Sequence, residues 1–359
     1  MKKISKVISV RHIFRVPLNV CKKLSKKVLF PFIIKCFPFV IKWLQNKVIY
    51  APRINNLKLH KLEAPLFGSV FFEVRTKCNS KCEFCAASTQ NEVRKDTYMP
   101  MELYTKGIDE LKILQFSGGI NYHVNNDPLI FPRLIEFVQY ARHSLKDASI
   151  GIMTNGNALT LKLAEELVKA GINRLYINNY QGEQNHLLPE LVTNVLHNIL
   201  PKFYTPDQIK IGQTGHDHYS NKKTFCFNVV SRAYTEILTS RGGTAPNKKL
   251  KSTTPIGFCE FPFTQFNITT DGRVSKCCAD FYFSDPMGNL YEQSILEIWR
   301  GNNFNEVRHN LLKGNRRKNK HCKECDFYGV DRKFIDTLPR VAKILYDETN
   351  KGAKIFRRK

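Results

Sequence analysis

No acidic residue occurs among the first fifty positions, which hold ten Lys and two Arg. That absence excludes internal ion pairing in this segment and leaves +12 of unbalanced charge. Long apolar runs are also missing. Val28 to Leu44 is strongly apolar, but it spans seventeen residues and is interrupted by Pro31, Lys35, Pro38 and Lys42. A spanning helix needs about twenty mostly apolar residues, so none is expected here. No secretory signal with a small-residue cleavage site is evident. Nor do the cysteines form a disulfide framework: of eleven, nine follow residue 77 and most lie in or near C-x2-C units, which suits metal ligation. A reducing, cytoplasmic setting is expected.

What is present is 359 residues with 42% apolar and 24% charged positions, enough for one large domain and a smaller one. The net charge of +25 is uneven. Lys313 to Lys359 carries fifteen basic and six acidic residues, so the two ends hold +12 and +9 and leave +4 for the middle. Such ends suit an anionic membrane surface or nucleic acid, and a solvated surface explains them equally well. Lys22, Lys23, Lys26 and Lys27, with Trp43 at the far end, fit a segment peripheral to an anionic leaflet. A helical lid packed on the rest of the chain or on a partner is the alternative.

The most informative stretch is Arg75 to Ala87, RTKCNSKCEFCAA, with Cys78, Cys82 and Cys85 in a C-x3-C-x2-C spacing after an apolar run. Three thiolates on one loop can hold three irons of a four-iron cluster. Such clusters usually take four cysteines, so a distant cysteine or a bound molecule completes the site. Zinc loops are the competing reading, although they favour four closed ligands, commonly paired as C-x2-C. The spacing resembles the signature of the radical S-adenosylmethionine (SAM) enzymes. In that family the open iron is chelated by the amino and carboxylate groups of SAM, and Phe84 falls where the family places an aromatic residue.

Strand and helix patterns then alternate. Strands are expected over Gly68 to Val74, Gly119 to Val124, Ala148 to Met153 and Asn173 to Asn178. Helices are expected over Pro100 to Leu114, Pro132 to Leu145 and Leu159 to Ala170. Alternation implies right-handed parallel crossovers, with ligands at the carboxyl ends of the strands. This agrees with the partial (β/α)6 TIM-like barrel of the radical SAM family, an α/β fold, with further units expected in Lys210 to Gly243.

The resemblance carries over by position. Asn125-Asn126-Asp127-Pro128 lies where many members have Gly-Gly-Glu-Pro, which implies SAM contacts at Asn126 and Asp127; Asp127 is one methylene shorter than the family's Glu. Thr154 and Asn155 match the ribose-contacting position. Asn178 and Asn179 end the next strand, where SAM or substrate contacts arise. Each of these polar residues could instead cap a helix. Ser117-Gly118-Gly119 precedes its strand and reads as a turn. Thr205 to Lys223, with His216 and His218, reads as an excursion over the active-site mouth. Glu236 to Pro246 resembles the strand and Arg-Gly turn that close the barrel, with Arg241 able to reach a carboxylate.

A second cysteine set follows. Asp271-Gly272 between Gln265 to Thr269 and Arg273 to Lys276 signals a hairpin, with Cys259 before it and Cys277 and Cys278 after it. A helix is expected over Ser294 to Leu312, with its Phe, Ile and Trp positions in the core, then Cys322-x2-Cys325. Cys259, Cys277, Cys322 and Cys325 could fully ligate a second four-iron cluster or a zinc. The arrangement resembles the shortened SPASM or twitch domain, which implies one auxiliary cluster. Adjacent strand residues face opposite ways, so one of Cys277 and Cys278 ligates; the resemblance favours Cys277. Cys21, Cys36 and Cys226 read as incidental thiols.

The expected organisation is a basic, apolar segment over 1–60, a radical SAM core over 67–250, an auxiliary cluster domain over 255–330 and a basic tail over 331–359. The resemblance implies reductive cleavage of SAM to a 5′-deoxyadenosyl radical, driven by a reductant such as flavodoxin or ferredoxin. Hydrogen abstraction from a small polar, sugar-like or aminocyclitol-like substrate would follow, with the auxiliary cluster as electron acceptor. Peptide maturation is the alternative within the enzyme class. A zinc-bearing nucleic-acid-binding protein is the alternative outside it, less favoured by the cysteine spacing.

Overall fold

A pleated strand sends successive side chains to opposite faces, so each strand of this chain offers one set to covering helices and the other to the interior. In the computed structural model, residues 43–57, 59, 65–180, 187–212, 223–248, 257–283, 285–327, 329–330, 332–340 and 343 are described. The expectations for Val28 to Leu44 (Trp43 and Leu44 apart), His216, His218 and much of the basic tail lie outside them. Among the described residues no helix is long and apolar enough to cross a membrane.

Among the described residues nine strands form one sheet: β1 Ser69–Phe72, β2 Gly119–Asn121, β3 Ser149–Thr154, β4 Arg174–Asn179, β5 Ile209–Ile211, β6 Phe225–Ser231, β7 Gln265–Ile268, β8 Arg273–Ser275 and β9 Gly288–Asn289. Their spatial order is β5-β6-β4-β3-β2-β1-β7-β8-β9. Neighbours from β5 to β7 run parallel, and β8 and β9 are antiparallel additions. The fifth strand in sequence therefore lies outside the sixth. Helices Met101–Ile113, Leu134–Ser144, Leu161–Ala170 and Leu187–Asn194 follow β1 to β4.

Val70, Phe72, Ile120, Ile150, Leu175 and Phe227 belong to the apolar core beneath these helices. Of the intervening positions Phe71 and Tyr176 are aromatic, and most of the rest are polar or small. Asn121, Arg174 and Asn267 are buried, and Arg174 Nη2 donates to Asn121 Oδ1 at 3.0 Å. Parallel sheets covered on both faces usually read as continuous apolar runs. This one keeps a hydrophilic inner face, as a ligand-holding barrel requires.

Three expected elements differ, each for a visible reason. The second strand stops at Asn121 because the Asn126 amide accepts from Val124 N (2.9 Å) and donates to Tyr122 O (3.1 Å), drawing the chain into a loop. Residues 236–240 form no strand. Ser240 instead donates through N to Asp326 (2.6 Å) and through Oγ to Glu324 O (2.8 Å), tying this segment to the second cysteine region. The single helix expected over Ser294 to Leu312 is two, Ile295–Arg300 and Asn302–Leu312, parted by extended Gly301. Ser294 and Glu297 form a capping box at the first. Trp299 is fully buried and donates to Pro65 O at 3.1 Å, so the aromatic positions here are core, as expected.

The Ser117-Gly118-Gly119 turn sets the start of β2. Gly119 N donates to Gly68 O and Ser149 N to Gly118 O, both at 2.9 Å, so three strands meet there. A Cβ on Gly118 would lie 2.4 Å from Gly68 O. Gly118→Ala is expected to destabilise the fold by about 1–3 kcal/mol, the usual range for overpacking, measured as a lower urea midpoint with an unchanged slope.

Candidate active site

Beyond β1 the chain folds into consecutive turns held by Cys85 N to Cys82 O (3.2 Å) and Thr89 N to Ser80 O (2.9 Å). These turns gather Cys78, Cys82 and Cys85 on one loop. Each thiol faces one polar side chain. Asn155 Nδ2 lies 3.5 Å from Cys78 Sγ, Ser80 Oγ 3.2 Å from Cys82 Sγ, and Arg241 Nη1 3.8 Å from Cys85 Sγ. Burial pushes Cys78 up to about 12, with Asp127 adding to the effect, and pushes Cys82 up to about 11. Such thiols ionise when a cation meets them, and the surrounding donors favour the sulfur anions then formed.

The loop is anchored from several sides. Arg94 pairs with buried Glu73 (2.9 Å) and Glu92 (2.9 Å) and lies over the Phe281 ring at 4.5 Å. Burial raises Glu73 to about 7, against the opposing pull of Arg94. Phe281 packs with Ala86 and Ala87, and Cys85 lies against them. Phe84 is buried edge-on to Tyr180, ring centres 5.2 Å apart.

Asp127 is buried, and both of its oxygens are engaged. Oδ1 accepts from Leu129 N (3.0 Å), Oδ2 accepts from Asn155 N (2.7 Å), and the Thr154 hydroxyl reaches both. Burial raises its pKa, and these hydrogen bonds oppose that rise. The carboxylate thus fastens the loop after β2 to the end of β3. Asn155 continues the link, donating to Asn79 Oδ1 at 2.7 Å beside Cys78. Asn126 is half-buried in the same loop, and Asn178 is half-buried on β4 in register with Val230.

Arg241 joins the two cysteine regions. Besides Cys85 it donates to Asn125 Oδ1 (2.8 Å) and to Cys278 O (3.1 Å), and its backbone holds φ 46°.

At the second set Cys259, Cys277, Cys322 and Cys325 are all buried. Burial pushes Cys259 up to about 12 and raises Cys277 and Cys322, and the neighbouring thiols add to each shift. Cys277 interacts electrostatically with the other three, and half-buried Cys278 lies beside Cys277, interacts with Cys325 as well and directs its carbonyl at Arg241. Beside Cys277, buried Lys276 pairs with Asp285 (2.7 Å) and Asp280 (3.4 Å), and His321 lies 3.1 Å from Asp280. Among the described residues no three His, Cys, Asp or Glu side chains converge on a single metal ion. Three thiols on one loop and four buried, mutually interacting thiols at the second place supply the donor chemistry that four-iron clusters take. The residues present fit iron-sulfur clusters at both places.

Ser80, Asn79, Arg94, Phe281 and the Lys276–Asp280–His321 group escape a reading of the sequence. Asn79, Ser80, Lys276, Asp280 and His321 each lie within two positions of a cysteine, but spacing alone does not tell which of them turns toward the thiols. The others arrive through long-range packing.

A six-stranded parallel half-barrel with a three-thiol loop beyond its first strand, extended by a hairpin unit with four more thiols before and after it, defines an iron-sulfur radical enzyme. Residues 72–187 match the radical SAM superfamily and residues 259–326 match the SPASM iron-sulfur cluster-binding domain. The S-adenosyl-L-methionine-dependent 2-deoxy-scyllo-inosamine dehydrogenase of Niallia circulans is 28% identical over 266 residues, 74% of this chain and 95% of that protein. The crystal structure of BtrN with AdoMet and 2-DOIA is 26% identical, with TM-score 0.57 over 74% of this chain and 94% of that one. BtrN in an open conformation, 23% identical with TM-score 0.51 over 73% of this chain and 93% of that one, shares the fold. The chain belongs to the radical SAM family, in its SPASM/twitch branch, and its cofactors are SAM and iron-sulfur clusters.

Asp127→Asn keeps the shape but turns an NH2 group toward the Asn155 or Leu129 N–H. Leaving a buried donor unsatisfied costs about 1–3 kcal/mol. A stability loss of that size is expected in chemical denaturation, together with weaker SAM binding in calorimetry.

Proposed function

We propose that this protein is a radical SAM oxidoreductase that dehydrogenates a hydroxyl group on a small polar ring of the sugar or aminocyclitol class. The observation that carries the reading is the pairing of a three-thiol loop with a separate four-thiol site in one chain. The likeness to a dehydrogenase along 95% of its length supports the substrate class.

In this reading Cys78, Cys82 and Cys85 hold three irons and leave the fourth to SAM. Cys259, Cys277, Cys322 and Cys325 close the second site. The radical SAM core occupies 67–250 and the auxiliary domain 255–330. When bound, the clusters and SAM supply a 5′-deoxyadenosyl radical as hydrogen acceptor and a separate acceptor for one electron; the hydroxyl proton passes to solvent, which completes oxidation of C–OH to C=O. The chain's part is orientation and exclusion of competing donors. Asp127, Thr154 and Asn155 fix the loops that border SAM. Phe84, Asn126 and Asn178 border the same space. Asn121, Arg174 and Asn267 give the barrel interior the hydrogen-bonding character that a hydroxylated ring requires.

Anaerobic reconstitution should load about eight irons per chain, as two four-iron clusters require. With dithionite, SAM and 2-deoxy-scyllo-inosamine, 5′-deoxyadenosine and ketone should form in equal amounts. Replacing Cys78, Cys82 and Cys85 together by Ala should leave about four irons and no 5′-deoxyadenosine. SAM cleavage without ketone would overturn the substrate class; stoichiometric zinc without cleavage would overturn the enzyme reading.

A further inference from the structure

Arg316 begins the short turn Arg316–Lys318 that precedes Cys322, and it alone of this basic triplet points inward. It is 1% exposed, while Arg317 and Lys318 are exposed. Nη1 donates to Phe327 O at 2.6 Å, and Nε is buried without a hydrogen-bond partner. Gly329 makes room for the guanidinium: a Cβ there would lie 3.1 Å from Arg316 Nη2 and 2.9 Å from the Cys259 Cα.

A buried guanidinium normally pairs with a carboxylate. Among the described residues none pairs with Arg316. Its electrostatic neighbours are Cys259, Cys325, Cys322 and Tyr50. Burial opposes its charge, and the thiols outweigh burial, so its pKa is raised. Lys276, the other buried cation nearby, differs because Asp280 and Asp285 neutralise it. Arg316 is thus an uncompensated positive charge set against three of the four thiols.

We propose that Arg316 is the counter-charge of the auxiliary cluster and holds its reduction potential high enough to accept the electron from substrate. This rests on the reading of the second cysteine set as an iron-sulfur site. A cluster held by four thiolates is a net anion, and reduction adds one more negative charge. Net charge, hydrogen bonds to sulfur and solvent exposure set such potentials. A fixed cation with a free N–H therefore favours the reduced state.

The test uses the full chain carrying Cys78→Ala, Cys82→Ala and Cys85→Ala, so that only the auxiliary cluster titrates. Iron content and an EPR-monitored redox titration are compared for this parent and for added Arg316→Met, Arg316→Lys or Arg317→Met. At a fixed potential the reduced-to-oxidised ratio should fall at least tenfold in Arg316→Met, a 59 mV shift for a one-electron couple. It should stay within about threefold in Arg316→Lys and Arg317→Met. Loss of iron in Arg316→Met but not in Arg316→Lys would also support the charge role. An unchanged ratio in iron-replete Arg316→Met, or loss of iron in both Arg316 variants, would overturn it. A parent without iron at the second site would overturn the cluster reading itself.

Discussion

The parallel pairing of β7 with β1 is the constraint on which both cysteine sites depend. Four residues of each strand are in register, from Ser69 opposite Gln265 to Phe72 opposite Ile268. β1 feeds the three-thiol loop, and β7 is the first strand of the hairpin that leads to Cys277. The auxiliary region is therefore an extension of the barrel sheet, and the two thiol sets are held relative to one another by main-chain hydrogen bonds. A second thiol site hung on a flexible linker would vary its distance from the first. One carried by the sheet does not.

Side chains complete what that pairing begins. Phe281 reaches back onto Ala86 and Ala87, Arg94 stacks on Phe281 while paired to Glu73 and Glu92, and Arg241 touches the first thiol loop, the Asn125 loop and the Cys278 carbonyl. Asp127 does the equivalent work between the ends of β2 and β3. The polar residues around the first thiol loop thus serve as struts, and a change at one would be felt by several loops.

Much of this architecture was legible in the sequence because its determinants are local. The C-x3-C-x2-C spacing, the Asp271-Gly272 hairpin and the alternation of apolar strands with amphipathic helices each act over a few residues. The departures arose where distant partners intervened. The Asn126 amide ended β2 early, Asp326 and Glu324 captured Ser240 from a strand, and Gly301 parted a helix whose apolar pattern ran through it. Arg316 was invisible for the same reason: in sequence it is one of three consecutive cations, and only the fold shows which of them turns inward.

Arg241, Gly242 and Gly243 all have left-handed backbones, with φ of 46°, 63° and 93°. Glycine adopts this conformation freely; arginine does not, and such residues cost about 1–3 kcal/mol. The chain accepts that cost at the one position whose guanidinium spans both cysteine regions. Selection for stability alone would favour a third glycine there, and it would sever the contact between the two halves of the site. The durability of the fold and the connection between its two metal regions are therefore opposed at this residue, and its side chain records which of them prevailed.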